Sequence, residues 1–125
     1  MPLSLALSAS LAFAIGVAHS YLGERYILIR LFRRTDLPAL FGSDWFTRRT
    51  LRFAWHLTTV AWWGLGALIL LVGGGASRAQ LGLAIAATFL ASALLAMAGT
   101  RGRHLAWVVF LAIAVGTWMG TRSPQ

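Results

Sequence analysis

The stretch Phe53-Ala54-Trp55-His56-Leu57-Thr58-Thr59-Val60 opens a run of twenty residues, 53–72, that contains no formally charged side chain. Twenty helical residues extend about 30 Å, which is the thickness of the hydrocarbon core of a bilayer. Arg52 precedes the run and three glycines, 73–75, follow it. The stretch therefore predicts a transmembrane helix that carries a histidine near its start.

The composition supports a membrane environment for the whole chain. Of its 125 residues, 58% are hydrophobic and 11% are charged, whereas a soluble domain carries about 25% charged residues. The length indicates one domain, residues 1–125. The absence of cysteine excludes disulfides and thiolate metal sites. The net charge of +8 predicts no nucleic-acid partner, because the charges flank apolar segments.

Apolar segments predict four spans, at about residues 3–22, 53–72, 78–97 and 103–120. The expected fold is an all-α membrane protein, an antiparallel bundle of four transmembrane helices. Residues 23–34 contain no proline, so the first helix can continue as an extension beyond the span. Because Pro38 disfavours helix at the residue before it, residues 37–41 are predicted to lie in the headgroup plane.

Short motifs mark where the helices begin and how they pack. Ser43 or Asp44 can cap the second helix, and Ser77 with Gln80 fits a capping box at the third. Small residues recur every fourth position in the first and last helices, which allows a neighbouring helix to approach closely. These ladders are Ser8, Ala12, Gly16 and Ser20, and Ala112, Gly116 and Gly120.

The arginines predict the orientation in the membrane. Nine of the eleven arginines fall on one side of the predicted spans, and only Arg78 and Arg122 fall on the other. The positive-inside rule places the nine in the cytoplasm and both termini outside. A compact chain whose basic residues are all arginine suggests a bacterial protein of the cytoplasmic (inner) membrane. The nine are Arg25, Arg30, Arg33, Arg34, Arg48, Arg49, Arg52, Arg101 and Arg103.

All three histidines, His19, His56 and His104, fall at the same predicted membrane face. In an antiparallel bundle the first helix can neighbour both the second and the fourth, so three imidazoles could converge. Such a set would suit a zinc or iron ion with an open position for water or substrate. Glu24, the acid closest to a span, could be a ligand or general base. The leading hypothesis is therefore a metal site at the cytoplasmic interface that acts on a lipid-like substrate.

A b-type haem with two axial histidines is the alternative cofactor. Gly16 would leave room for the porphyrin face, Arg52 could pair with a propionate, and Trp55 and Trp107 could line the ring. This hypothesis leaves the third histidine without a role.

A second alternative is a non-catalytic subunit or transporter helper, with membrane lipids and a second copy of the chain as its partners. The alanine- and glycine-rich helices would serve homo-oligomerisation as well as internal packing. Spacing alone identifies no Ser-His-Asp triad. Ser20 and His19 are adjacent on a helix, so their side chains point apart.

Overall fold

The computed structural model describes residues 1–123 and contains four long helices. Helix α1 spans Leu3–Leu31, α2 spans Trp45–Gly73, α3 spans Arg78–Thr100 and α4 spans Ala106–Arg122. Helices α1, α2 and α3 are long and apolar enough to cross a membrane, while α4 has 17 residues. The predicted number of helices is confirmed.

Helix α1 changes geometry where the predicted extension begins. Its α-helical part, Leu3–Leu22, passes into a π-helical segment, Gly23–Leu28, before one last α-helical turn. In this segment the backbone N–H of Ile29 bonds to the carbonyl of Glu24, five residues earlier. Single π turns inside α-helices are rare and often accompany functional sites.

The capping motifs are borne out in different ways. Ser77 accepts a hydrogen bond from the Gln80 backbone, and the Gln80 side chain accepts one from the Ser77 backbone, so the capping box is confirmed. Asp44 is the N-cap of α2, but its carboxylate binds Arg48 instead of a backbone N–H.

Helix α4 begins at Ala106, three residues later than the predicted start at 103. Arg101 and Gly102 both have positive φ, which ends α3 in a tight turn. The Ala106 backbone N–H then donates to Nδ1 of His104 at 3.2 Å. His104 therefore belongs to the turn before α4, because its ring caps the helix that it was predicted to open.

The helices pack in chain order, α1 on α2, α2 on α3 and α3 on α4, and α1 forms no extended interface with α4 among the described residues. Contacts between neighbouring helices pair the start of one with the end of the other. Gly23 meets Trp55, Gly99 meets Phe53, and Gly82 meets Thr121. The expectation that α1 would neighbour α4 is therefore wrong, because glycines of α1, α2 and α3 pack against the helices next to them in sequence.

Small side chains form the interior and large apolar side chains face outward. The buried core is mostly alanine, with Leu28 and Phe53 as its larger members. Exposed fractions reach 75% for Leu3, 61% for Val72 and 58% for Met119. This distribution is the reverse of the one found in a water-soluble bundle. The α4 ladder faces outward too, since no atom from elsewhere in residues 1–123 lies within 4 Å of where a Cβ would stand on Gly116 or Gly120.

The connection between α1 and α2 is fastened by Arg48. Its guanidinium donates to the Asp44 carboxylate at 2.5 and 2.8 Å and to the carbonyl of Arg34 at 2.7 Å, and it also binds the Phe32 carbonyl. One side chain therefore ties the end of α1 to the first turn of α2.

Replacing Arg48 by lysine is expected to loosen this connection, because an ammonium cannot reproduce the several directed N–H donors of a guanidinium. Trypsin should then cleave at Arg33 and Arg34 faster than in the wild type at neutral pH. Arg49→Lys is the matched control, since the Arg49 guanidinium lies over the Trp45 ring and contacts none of these acceptors. Equal cleavage of both variants would contradict the assigned role.

The stability contributed by the pair of Arg48 and Asp44 depends on pH. The hydrogen bond from Arg48 lowers the pKa of the Asp44 carboxyl below its ordinary value of 3.8. The pair therefore contributes its stability above that value, and the contribution is lost as the pH falls through the lowered pKa.

Candidate functional site

Two tryptophans of α2 set its position against α1. The indole N–H of Trp55 donates to the carbonyl of His19 at 3.1 Å, and that of Trp63 donates to the carbonyl of Phe13 at 3.2 Å. The rings fit because Gly23 and Gly16 have no side chain, and a Cβ at either glycine would clash with the indole facing it. The sequence thus fixes which residues of α1 and α2 stand opposite each other.

This alignment brings two polar pairs face to face. Ser20 and Glu24 lie four residues apart on α1, and Arg52 and His56 lie four residues apart on α2, so each pair occupies one helix face. His56 Nδ1 is 2.8 Å from Ser20 Oγ, and His56 Nε2 is 3.1 Å from Glu24 Oε2. Arg52 donates to the other carboxylate oxygen at 2.8 Å. The imidazole therefore joins a hydroxyl to a carboxylate whose charge an arginine balances.

The hydrogen bonds continue one residue further. Ser20 Oγ is 2.7 Å from Thr59 Oγ1, which can donate to the carbonyl of Gly16 at 3.1 Å. Each hydroxyl carries one proton and can also accept, so the chain can run in either direction. When His56 donates from Nε2 to Glu24, Nδ1 is free to accept the Ser20 proton. When the imidazole is doubly protonated, Ser20 can turn its proton to Thr59. The network thus accommodates both protonation states of His56.

An open groove of about 560 Å³ runs along α1 beside this network. Ser20 and Glu24 form part of its wall, and most of the rest is apolar. The volume lies in the range of small-molecule sites. The groove is lined by Val17, Ser20, Tyr21, Glu24, Arg25, Ile29 and Trp63. A ligand in it would lie against the serine hydroxyl.

His19 lies near this network but does not join it. Its ring stacks on Trp55 with the centroids 4.6 Å apart, and it meets Trp62 edge-on at 5.0 Å. Its Nε2 lies 3.2 Å from the carbonyl of Trp55. Trp55 therefore contacts the proposed ligand His19 directly, while its own N–H is used to join the helices.

His104 belongs to the turn between α3 and α4, and Trp107 lies in the first turn of α4. His104 packs against Phe53 and Phe46 with ring centroids 5.1 and 5.8 Å apart, and the Trp107 N–H donates to the Gly102 carbonyl at 3.1 Å. Phe53 brings His104 to the same end of the bundle as His56. The described residues nevertheless include no group of three or more histidine and acidic side chains placed to hold a metal ion.

Two of the residues named for a haem have partners within the protein. The Trp63 indole occupies the position next to Gly16 that was predicted to clear room for a haem face. Gly16 therefore serves the packing of α1 on α2, and Arg52 turns its guanidinium to Glu24 and the Phe32 ring.

The chain matches no family model, no curated protein and no solved structure in the three comparisons made.

Ser20 is the site residue that the sequence did not identify. Its sequence neighbour His19 points elsewhere, and its actual partner, His56, is 36 residues away. The available signal was the pair of four-residue spacings, Ser20 with Glu24 and Arg52 with His56, at matching depths in two adjacent helices.

Proposed function

We propose that this chain is an enzyme of the bacterial cytoplasmic membrane that hydrolyses an ester bond in a lipid-like substrate, with Ser20, His56 and Glu24 as its reactive groups. One observation carries the proposal. The His56 imidazole bonds to the Ser20 hydroxyl on one side and the Glu24 carboxylate on the other, beside an open apolar groove. A nucleophile, a base and a group that orients the base are the elements of nucleophilic catalysis.

The membrane placement is part of the same proposal. Small residues inside and large apolar residues outside suit helices surrounded by lipid. We place the four helices as an antiparallel transmembrane bundle, with nine arginines at the cytoplasmic face and both termini on the other side. The site would then lie at the cytoplasmic interface, where the end of α1 meets the start of α2, and substrate would enter from the bilayer.

The proposed reaction follows from the hydrogen bonds. Ser20 Oγ attacks the carbonyl carbon of the ester while its proton moves to His56 Nδ1. The bond between the acyl carbon and the leaving oxygen breaks, and the departing alcohol takes that proton. Water then attacks the acyl-serine, with His56 again as base, and releases the carboxylic acid. In the general template the nitrogen roles are reversed, with Nε2 facing serine; either nitrogen of imidazole can accept a proton.

Glu24 and Arg52 stabilise the tautomer of His56 that can act as a base towards Ser20. A carboxylate that accepts from Nε2 fixes the tautomer in which Nδ1 is free to receive the serine proton. Arg52 binds the second carboxylate oxygen and keeps the charge of Glu24 compensated. Arg25 lines the groove with Ser20 and offers N–H donors to the developing oxyanion.

The test is hydrolysis of a fluorogenic lipid ester by the detergent-purified protein. Ser20→Ala is expected to lower the rate about 10³-fold or more, because the nucleophile is removed. Ser10→Ala is the matched control, since Ser10 lies on the same helix and bonds only to the carbonyl of Ala6. Equal rates of hydrolysis for the wild type and Ser20→Ala would contradict the assignment of Ser20 as the nucleophile.

A metal site remains the second candidate, and the closeness of His56 Nε2 to Glu24 Oε2 favours it. Zinc or iron could take these two ligands, with His19 as a third if its ring left Trp55. His104 would keep its role in the turn. In this case the purified protein should carry about one metal ion per chain, and a chelator should abolish hydrolysis. Serine catalysis predicts full activity after chelation, so the same preparation separates the two.

A non-catalytic role is the remaining alternative, and the open α4 ladder favours it. Gly116 and Gly120 face away from the other helices, so a second copy of the chain could pack there. A protein with neither hydrolysis nor bound metal, but a stable dimer that Gly116→Leu disrupts, would support this alternative.

A further inference from the structure

We propose that the groove binds one anionic glycerophospholipid, with the acyl chain along the apolar wall and the phosphate on Arg25, Arg30 and Arg33. This inference rests on the proposed function in one respect, since it names the substrate class of the same site. The observation behind it is a second depression of about 320 Å³, three of whose five lining residues are arginines and which shares two residues with the groove. It is lined by Arg25, Tyr26, Ile29, Arg30 and Arg33.

The two depressions lie next to each other, since Arg25 and Ile29 line both. The groove offers Val17, Tyr21 and Trp63 to a hydrocarbon chain, and the depression offers three guanidinium groups. An apolar channel that ends in a cluster of cations is complementary to one kind of molecule, a lipid with an anionic head. Ser20 and Glu24 lie on the groove wall, where an ester between chain and head would pass.

The charge balance of the chain leaves these arginines without an internal counter-ion. The sequence has three acidic residues, and each pairs with a different arginine. Asp36 binds Arg34, Asp44 binds Arg48 and Glu24 binds Arg52. Within the described residues, Arg25, Arg30 and Arg33 therefore have no carboxylate partner. A phosphate, whose oxygens suit guanidinium donors, would supply the missing charge.

The π-helical segment explains how the arginines come together. Residues five apart project in clearly different directions on an α-helix, but a π turn, with its bonds between residues i and i+5, brings them into line. Arg25 and Arg30 are five apart, and both guanidinium groups lie 5.8 Å from the centre of the Tyr26 ring between them. The change of helix geometry at Gly23–Leu28 thus groups cations that a regular helix would spread apart.

Lipid retention, measured by native mass spectrometry, tests the proposal. The protein used is full-length Ser20→Ala, so that turnover cannot remove the ligand. The probes are phosphatidylglycerol and phosphatidylcholine with the same acyl chains. We expect one phosphatidylglycerol per protein chain, held about tenfold more tightly than phosphatidylcholine. The double variant Arg30→Gln/Arg33→Gln should lose this preference, because it removes two of the three phosphate donors and leaves Arg25 in place.

The double variant Arg101→Gln/Arg103→Gln is the matched control, since it removes two arginines that lie over the Trp45 ring at the same end of the bundle. It should keep the preference. Equal retention of the two lipids would overturn the proposal, because the arginines would then not select a negative charge. Equal loss in both double variants would also overturn it and indicate a general affinity of basic residues for anionic lipid. Displacement of the lipid by glycerol 3-phosphate at the same concentration would also overturn the proposal, because the acyl chain would then add nothing to the binding affinity.

The outcome is independent of the proposed hydrolysis. Selective retention by a protein that hydrolyses no ester would leave a lipid-binding site without catalysis. Hydrolysis without selective retention would support the proposed enzyme activity and contradict the proposal that anionic lipid is its substrate class.

Discussion

Replacing His56 by alanine is expected to slow the reaction of Ser20 with a fluorophosphonate about 10²- to 10⁴-fold, which is the usual range for removing a general base. The serine hydroxyl is a weak nucleophile until Nδ1, 2.8 Å away, accepts its proton. Without the imidazole, Ser20 keeps only Thr59 as a polar partner, and a hydroxyl is a poor base. The rate is measured by following the intact mass of the protein over time.

Two further variants refine this expectation. Glu24→Gln should cause a smaller loss, since an amide oxygen can still accept from Nε2 but carries no charge to stabilise the imidazolium. His19→Phe should leave the rate unchanged, because phenylalanine preserves the stacking on Trp55 and His19 has no bond to Ser20. The metal hypothesis predicts that His19→Phe lowers the rate of hydrolysis, because His19 would be a ligand of the metal ion. A large loss of hydrolytic activity in His19→Phe would therefore favour the metal-site hypothesis over serine catalysis.

Replacing Gly23 by leucine is expected to have the largest effect on stability. Trp55 lies directly against Gly23, and its ring is held there by the hydrogen bond to the His19 carbonyl and by stacking on the His19 ring. A side chain at this position would force α1 and α2 apart. Overpacking of this kind costs about 1–3 kcal/mol, and the lost indole bond adds about 0.5–1.5 kcal/mol.

The measurement is thermal unfolding in detergent, followed by circular dichroism. Gly116→Leu provides the control, because it makes the same change on a helix where nothing stands within 4 Å. It should leave the unfolding temperature close to that of the wild type. If both glycine variants unfold at the same reduced temperature, a general effect of leucine at a glycine position, and not the fit of Trp55, accounts for the loss.

Much of the fold could be predicted from local properties of the sequence. The uncharged run 53–72 indicates α2, and the capping box at Ser77 and Gln80 fixes the start of α3. The start of α4 was misplaced because it depends on side chains of the turn. Thr100 Oγ1 accepts from the His104 backbone, and the His104 ring accepts from Ala106. Apolar periodicity carries no information about such bonds.

The arrangement of the helices could not be predicted in the same way. Four apolar segments are compatible with a closed bundle, in which α1 would touch α4, and with packing in chain order. The choice depends on which small residues meet which large ones, as where Gly64 meets Thr88 and Gly82 meets Thr121. The convergence of three histidines was inferred from the closed bundle. In the chain-order arrangement, α2 presents His56 to α1 and Phe53 to His104.

Part of the candidate site was accessible from sequence and part was not. The predicted site was built on His19, His56 and His104, with Glu24 and Arg52 in support. Of these five residues, the structure brings His56, Glu24 and Arg52 into direct contact. Ser20 was missed because its role depends on the rotation and offset of α1 against α2. These are set by two tryptophans that fit beside Gly16 and Gly23. The grouping of Arg25 with Arg30 depends on a π turn, which no residue pattern in the chain announces.

The most direct test of the central claim is the site of covalent labelling in the wild-type protein. The purified chain is treated with a fluorophosphonate, digested and examined by tandem mass spectrometry. The Ser20–His56–Glu24 arrangement predicts one adduct per chain, located on Ser20 and formed far more slowly in His56→Ala. A protein that remains unlabelled, or one that is labelled at Ser20 equally well without His56, would contradict the claim that these residues form a reactive centre.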